Sequence, residues 1–235
     1  MPPRLCGLQP PDGNGFMQVT EIFRSIQGES TFAGLPCIFI RLTGCNLRCV
    51  WCDTAYAFYG GKKMSAQEIL AAVGEMSNRS EGKPVKLVEV TGGEPLLQKE
   101  IYPLIDRLLA GGYQVLIETS GERPIRELPS PVVRVVDVKC PGSGEGGSFL
   151  LENLEHLASH DQLKFVLADR RDYEWAREFL QEHRLQDKVE TVIFSPVFGK
   201  MEPRPLAEWI LADGLPVRVG LQLHKFIWDP EATGV

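Results

Sequence analysis

The chain has 235 residues, of which 43% are apolar and 24% charged, and its formal net charge is −6 at pH 7. This length and composition are typical of one α/β domain with a buried core. The acidic balance excludes broad, non-specific binding of nucleic acid, which needs many cations facing phosphates. Because no apolar run is long enough to cross a bilayer and no secretory signal pattern is present, we expect a cytoplasmic protein without a membrane partner.

The predicted elements begin after a segment rich in Pro and Gly. Residues 1–16 lack periodicity and predict a flexible leader, so we expect the folded domain to span 17–235. Runs of β-branched residues predict strands at 37–43, 85–91, 114–118, 132–138, 163–167, 189–194 and 217–223. Helical spacing predicts helices at 65–76, 101–109 and 172–183, the first capped by Ser65 with Glu68.

Strands that alternate with helices indicate right-handed β-α-β units and a parallel sheet. Either an open doubly wound sheet or a partial barrel fits the pattern. Both architectures bind ligands at the carboxyl ends of their strands. Polar motifs follow several of the predicted strands, so the functional site is expected at that edge.

A C-x3-C-x2-C loop, formed by Cys45, Cys49 and Cys52, directly follows the predicted strand 37–43. Thiolates are the ligands of iron–sulfur clusters, and three of them can hold a [4Fe–4S] cubane while leaving one iron open. A structural zinc site needs four ligands, and only Cys37 could supply a fourth here. A disulfide would leave an odd thiol and needs an oxidising compartment. The spacing therefore favours a cluster, with a zinc-stabilised binding module as the non-enzymatic alternative.

The cysteine loop, together with Thr91-Gly92-Gly93-Glu94-Pro95 after a later strand, resembles the radical S-adenosylmethionine superfamily. The resemblance implies reductive cleavage of S-adenosylmethionine to a 5′-deoxyadenosyl radical. Residues that would border S-adenosylmethionine are Trp51, Cys52, Asp53, Gly93, Glu94, Glu118, Ser120 and Lys139. The other cysteines, Cys6, Cys37 and Cys140, are interpreted as structural or incidental.

Three further segments narrow the resemblance: Phe23–Ser30, the pair Asp53-Thr54, and Gln222-Leu223-His224-Lys225. Together they resemble the 7-carboxy-7-deazaguanine synthases of queuosine biosynthesis. That family implies a radical S-adenosylmethionine lyase, built as a partial (β/α) barrel of about six parallel strands. Its reaction contracts the ring of 6-carboxy-5,6,7,8-tetrahydropterin and releases ammonia. The family further implies a homodimer, assistance by Mg²⁺, and an electron donor such as flavodoxin or ferredoxin.

Residue by residue, the resemblance assigns Thr54 to Mg²⁺. The residues that it assigns to the pterin are Ile26, Gln27, Gly28, Glu29, Arg41, Thr91 and His224. The chain departs from the family pattern at Ser120 and Cys140, and it continues beyond Trp228 to residue 235, which puts a role for the C-terminus in doubt. The enzymatic alternative is an activating protein for a glycyl-radical enzyme, which shares the cysteine spacing but needs no pterin pocket.

Overall fold

The computed structural model describes residues 15–79 and 81–235. Its strands are β1 Phe16–Ile26, β2 Pro36–Leu42, β3 Lys62–Ser65, β4 Leu87–Gly92, β5 Gln114–Thr119, β6 Val133–Asp137, β7 Gln162–Leu167, β8 Thr191–Pro196 and β9 Arg218–Val219. Its α-helices are α1 Ala66–Ser77, α2 Ile101–Ala110, α3 Arg170–Glu182, α4 Pro203–Asp213 and α5 His224–Ile227.

All nine strands belong to one sheet with the order β3-β1-β2-β4-β5-β6-β7-β8-β9. From β2 through β9 each neighbouring pair is parallel, whereas β1 pairs antiparallel with both β2 and β3. The sheet is therefore a partial barrel with a parallel body and an antiparallel edge. This confirms the fold class, and the parallel body contains six of the seven predicted strands over most of their length.

The antiparallel edge and two helices, α4 and α5, are absent from the sequence-based elements. β1 includes the Phe23–Ser30 motif as far as Ile26. Its burial is irregular, because it begins with the exposed Phe16 and the consecutive residues 20–22 are all partly buried. α4 begins with Pro203 and Pro205 close together and ends at Gly214, whose φ is 59°. Proline is accepted in the first helical turn, and a left-handed glycine commonly ends a helix. These residues therefore mark the two ends of α4, although in the sequence they indicate a loop.

The predicted strand 217–223 is wrong over most of its length, because only Arg218 and Val219 pair with β8. The next residue, Gly220, lies so close to β8 that an added Cβ would be 2.5 Å from Ser195 Oγ. The chain then leaves the sheet, and the Leu223 amide donates to the Gly28 carbonyl at 3.0 Å. This crossing brings the segment 222–225 over the open end of the barrel.

Helix α1 begins as predicted at the capping box. Ser65 Oγ accepts from the Glu68 amide at 3.2 Å, and Glu68 Oε2 accepts from the Ser65 amide at 2.8 Å. The two contacts satisfy donors that a helix N-terminus otherwise leaves unpaired.

The sheet separates two apolar clusters. The larger one fills the space between the sheet and the helices, and includes Val88 and Val90 of β4. The smaller one closes the base of the barrel and contains Phe23, Cys37, Phe39, Leu87, Leu116 and Val133. Because side chains alternate along a strand, Leu87, Glu89 and Thr91 of β4 face the barrel interior in successive layers. The barrel interior is therefore apolar at its base and polar toward the carboxyl ends of the strands.

The predicted leader 1–16 lies outside the described residues apart from Gly15 and Phe16, and Phe16 already belongs to β1. Cys6 also lies outside them. In the ranges 15–79 and 81–235, no helix is long and apolar enough to cross a membrane.

Candidate active site

A cavity of about 700 Å³ opens at the carboxyl ends of the parallel strands. It brings together nearly all of the residues that the sequence assigned to the site. Those lining it are Ile26, Gln27, Gly28, Glu29, Arg41, Cys45, Cys49, Trp51, Cys52, Asp53, Thr54, Thr91, Gly93, Glu118, Ser120, Lys139 and His224. Glu94 does not line the cavity.

The cysteine loop forms one wall of the cavity. Cys45, Cys49 and Cys52 are free and partly buried, and burial raises the pKa of the Cys45 and Cys49 thiols. Arg48 Nη1 donates to the carbonyls of Cys45 and Leu47, both at 2.7 Å. Arg48 therefore holds the backbone of the loop. The three cysteines of this loop line the cavity.

The donor chemistry of this loop fits an iron–sulfur cubane. Within the described residues, no three His, Cys, Asp or Glu side chains converge closely enough to hold one metal ion. A cubane requires no such convergence, since each thiolate binds a different iron.

The Gly-Gly-Glu segment supports the cysteine loop from below. An added Cβ at Gly93 would lie 2.1 Å from the Gly44 carbonyl oxygen and 2.7 Å from Cys45 Cβ, so only glycine fits. The Glu94 amide donates to the same Gly44 carbonyl at 2.8 Å. The position of Cys45 thus depends on the backbone of Gly93 and Glu94.

Glu94 itself is fully buried beneath the cavity. Its carboxylate accepts from the Thr119 hydroxyl at 2.8 Å and from the Ser120 amide and hydroxyl at 2.8 and 2.7 Å. It also accepts from the Leu96 amide at 3.0 Å. Burial raises the pKa of Glu94. In this structure the carboxylate bonds protein groups and ties the end of β5 to the Gly-Gly-Glu turn.

Asp53 and Thr54 extend the loop toward the open end of the cavity. Thr54 Oγ1 donates to Asp53 Oδ1 at 2.9 Å. Thr54 precedes the 3-10 turn Ala55–Phe58 without capping it through its side chain, so the hydroxyl oxygen keeps acceptor capacity for a ligand. Burial alone would raise the pKa of Asp53, but Lys225 and Gln222 outweigh it and hold that pKa far below its ordinary value.

Arg41 lies on β2 at the edge of the cavity. Its Nε donates to Glu21 Oε1 at 2.9 Å, and the Tyr56 hydroxyl donates to the same oxygen at 2.7 Å. The guanidinium lies 5.8 Å from the Phe23 ring centroid and 5.9 Å from that of Tyr56. Its two Nη groups make no hydrogen bond within residues 15–79 and 81–235, which leaves the bidentate face that suits a carboxylate.

The segment after β1 forms the opposite wall. Gln27 Oε1 accepts from the amides of Glu29 and Ser30 at 2.9 and 3.0 Å, which fixes Nε2 as the donor to Glu89 Oε2 at 3.0 Å. An added Cβ at Gly28 would lie 2.5 Å from His224 Nδ1. The Gln27 side chain therefore bonds protein, and the close approach of His224 requires glycine at position 28.

A group of charges lies deep in the cavity, and two of its members, Lys164 and Asp137, were missed by the sequence assignments. Lys164 is 4% exposed, and its Nζ bonds Glu29 Oε2 at 2.8 Å and also Glu118 Oε1. The Asp137 carboxylate lies 3.8 Å from Lys164 and 2.7 Å from Lys139. Burial alone would lower the pKa of Lys164, but the carboxylates of Glu118, Glu29 and Asp137 raise it well above its ordinary value.

Two further polar residues bridge the walls. Gln222 Nε2 donates to Glu29 Oε1 at 3.0 Å and to Asp53 Oδ2 at 2.8 Å. Lys225 Nζ lies 3.1 Å from Asp53 Oδ2. Both belong to the Gln222–Lys225 motif, but sequence reasoning singled out only His224 from it. Residues 230–235, which the sequence left without a role, also line the cavity.

Comparison with known proteins supports one family. The sequence profile of the Radical SAM superfamily matches residues 39–135. The chain is 57% identical over 232 residues to the 7-carboxy-7-deazaguanine synthase of Koribacter versatilis, covering 93% of this chain and all of that protein. It is 44% identical to the synthase of Chlorobaculum tepidum, covering 93% of this chain and 97% of that one. The crystal structure of QueE from Escherichia coli superposes with a TM-score of 0.72 at 27% identity, covering 89% of this chain and 95% of that chain.

Proposed function

Since the chain belongs to the 7-carboxy-7-deazaguanine synthase family of radical S-adenosylmethionine enzymes, we propose that it performs that family's reaction. The substrate is 6-carboxy-5,6,7,8-tetrahydropterin, and the product is 7-carboxy-7-deazaguanine, formed by ring contraction with release of ammonia. The observation that carries this proposal is that the cysteine loop, Arg41 and the Gln27–Glu29 segment line one cavity. A glycyl-radical activating function is not favoured, because the relatives described above are named as synthases.

The family implies a [4Fe–4S] cluster and S-adenosylmethionine. Cys45, Cys49 and Cys52 are the residues that would hold the cluster. When bound, the cluster and S-adenosylmethionine supply the radical that starts the reaction. The protein's own share is to position the reactants at one edge of the barrel and to exclude water and oxygen.

Residue roles follow from the geometry of the cavity. Arg41 would bind the substrate carboxylate through its two Nη groups, since its Nε is already bonded to Glu21. The backbone of Gly28 and Glu29 would face the pterin, because the Gln27 amide is bonded on both sides to protein. Ile26, Thr91 and His224 would complete the pterin end.

S-adenosylmethionine would lie between the cysteine loop and the ends of β4, β5 and β6. Trp51, Cys52 and Asp53 would border it on the loop side, with Gly93 behind the methionine part. Glu118, Ser120 and Lys139 would border it on the strand side. For Glu94 we propose an indirect role, because its carboxylate bonds Ser120 and Thr119 below the cavity surface.

Thr54 would be a ligand of Mg²⁺ through the lone pairs of its hydroxyl oxygen, whose proton is donated to Asp53. A hydroxyl among oxygen ligands suits a hard cation. Classification as a carbon–nitrogen lyase, a homodimeric assembly, a flavodoxin or ferredoxin donor and a cytoplasmic location remain predictions of the family resemblance.

The proposal is tested by anaerobic incubation of the reconstituted protein with a reductant, S-adenosylmethionine and 6-carboxytetrahydropterin. Mass spectrometry is expected to detect 7-carboxy-7-deazaguanine. Iron and sulfide analysis on the same sample establishes that the cluster is loaded. A fully loaded protein that yields no deazaguanine would end the assignment.

A further inference from the structure

Glu89 is a barrel-facing residue of β4 that the sequence did not assign to the site. The strand register places it level with Phe39 of β2 and Leu116 of β5, which belong to the apolar base. Thr91 lies one layer above it on the same face of β4. Glu89 is 3% exposed, yet it contributes to the cavity lining. It therefore forms part of the cavity floor.

The hydrogen bonds of Gln27 determine the role of each Glu89 oxygen. The Gln27 amide is oriented by two backbone donors on its oxygen, so its Nε2 donates to Glu89 Oε2 at 3.0 Å. Glu89 Oε2 is thus an acceptor. Glu89 Oε1 makes no hydrogen bond in the described part of the chain. It is also not one of the unpaired side-chain atoms that are inaccessible to solvent, so this oxygen is accessible. It reaches the cavity.

The charges around Glu89 disfavour a carboxylate. The groups facing it are Glu29 after β1, Cys37 on β2, Glu118 on β5 and Lys164 on β7. The ammonium of Lys164 pairs with Glu29, Glu118 and Asp137 and forms no ion pair with Glu89. A buried carboxyl beside two carboxylates retains its proton more readily. Burial and the neighbouring Glu118 accordingly raise the pKa of Glu89 to about 8.

We propose that Glu89 is a specificity-determining residue that keeps its proton on Oε1 and donates a hydrogen bond to the heterocyclic substrate. The acceptor would be a carbonyl oxygen or ring nitrogen at the buried end of a lactam-containing bicycle. This inference rests on the proposed function, since it takes the pterin as the occupant of the cavity floor. A carboxylic acid that its surroundings keep neutral can donate a hydrogen bond near neutral pH, as buried carboxylic acids do in the apolar active sites of other enzymes.

The test measures the dissociation constant of 6-carboxytetrahydropterin for the cluster-loaded protein with S-adenosylmethionine and without reductant, so that no turnover occurs. The pH is varied from about 6 to about 10, spanning the titration of Glu89. Glu89→Gln keeps an acceptor for Gln27 and a donor for the cavity but cannot titrate. Glu89→Leu removes both. Glu75→Gln makes the same chemical change at an exposed position on α1 and is the matched control.

For the wild type, and equally for Glu75→Gln, the affinity is expected to fall about tenfold per pH unit above the titration of Glu89. Glu89→Gln should bind within about threefold of the wild type near neutral pH and show no such fall. Glu89→Leu should bind on the order of 10- to 100-fold more weakly. Infrared difference spectra should show a protonated carboxyl band in the wild type near neutral pH that Glu89→Gln lacks.

Two results would overturn the inference while leaving the function intact: loss of binding in Glu89→Gln as severe as in Glu89→Leu, or the same pH profile in wild type and Glu89→Gln. Absence of the infrared band would overturn it even if Glu89→Leu failed to fold. Failure of the wild type to bind the pterin would instead remove the proposed function, and this inference with it.

Discussion

Lys164 is a buried cation held between Glu29 and Glu118 at the side of the cavity. Removing one partner from a buried ion pair leaves uncompensated charge and costs about 3 to 5 kcal/mol. Three carboxylates, counting Asp137 at 3.8 Å, would then face one another across the cavity. The lysine therefore holds the acidic wall in place.

Lys164→Met is expected to lower the free energy of unfolding by about 3 to 5 kcal/mol. It is also expected to abolish pterin binding. Denaturant unfolding of the cluster-loaded protein measures the first effect, and equilibrium binding the second. Lys99→Met, at an exposed position before α2, is the control. Equal unfolding midpoints for the two variants would contradict the assigned role of Lys164.

Glu89 predicts a pH dependence of stability with a definite sign. Its pKa is about 8 in the folded protein, against an ordinary value of 4.5. Between these values the folded state holds a proton that the unfolded state has released, so this contribution to the free energy of unfolding falls as the pH rises and levels off above about 8. Glu89→Gln should therefore gain stability relative to the wild type across that window. Urea unfolding of both proteins, with Glu75→Gln as the control, measures the difference, and parallel pH curves would refute it.

Replacement of Arg41 is expected to cause a selective loss of substrate affinity. Arg41→Ala removes the two unbonded Nη groups at the cavity edge, and charge-assisted hydrogen bonds of this kind contribute about 1.5 to 3 kcal/mol. The KM for the pterin should rise on the order of 100-fold, with iron content and affinity for S-adenosylmethionine unchanged. Arg107→Ala, on the exposed face of α2, is the matched change. An unchanged KM, or a parallel loss of S-adenosylmethionine binding, would contradict the role.

At the scale of the elements, the cysteine loop depends on its contact with the Gly-Gly-Glu turn. A methyl group at position 93 would lie 2.1 Å from the Gly44 carbonyl oxygen, a backbone atom that cannot move away without moving Cys45. The loop and the turn therefore form one structural unit. This unit, and not the cysteine spacing alone, sets the position of Cys45, the first of the three cysteines that would hold the cluster.

Gly93→Ala should displace the loop and reduce the iron bound per chain after anaerobic reconstitution, with loss of the visible cluster absorption. Gly74→Ala is the control, because an added Cβ there meets nothing within 4 Å in the interior of α1. That helical change should leave iron content at the wild-type level and stabilise the protein by about 1 kcal/mol. Wild-type iron content in Gly93→Ala would contradict the structural unit.

Much of the parallel body could be predicted from the sequence, because strands covered on both faces are continuous apolar runs. The polar groups within those runs could not be assigned. Lys164 is the second residue of its predicted strand and Asp137 the last but one of its own, and a polar residue at such a position equally indicates a solvent-facing side chain. Only the curvature of the sheet directs them into the cavity. The edge strand β1 was missed because polar residues such as Gln18, Glu21 and Arg24 interrupt its apolar positions, and its burial pattern departs from strict alternation.

At the scale of the whole molecule, the cavity is assembled from three distant parts of the chain. Gln222 bonds both Glu29, 193 residues away, and Asp53, 169 residues away. Leu223 adds a backbone bond to Gly28 at 3.0 Å. The C-terminal crossing thus connects the cysteine loop to the segment that follows β1, so that cluster, S-adenosylmethionine and substrate would share one cavity.

The most direct test of this shared site is one mass-spectrometric balance of the anaerobic reaction, measuring pterin consumed, 7-carboxy-7-deazaguanine formed and S-adenosylmethionine remaining. One deazaguanine per pterin is expected over several turnovers. Most of the S-adenosylmethionine should be recovered if, as we propose, the 5′-deoxyadenosyl radical abstracts a hydrogen from the pterin and the hydrogen is later returned. Cleavage of S-adenosylmethionine by the loaded protein without any conversion of the pterin would contradict the shared site.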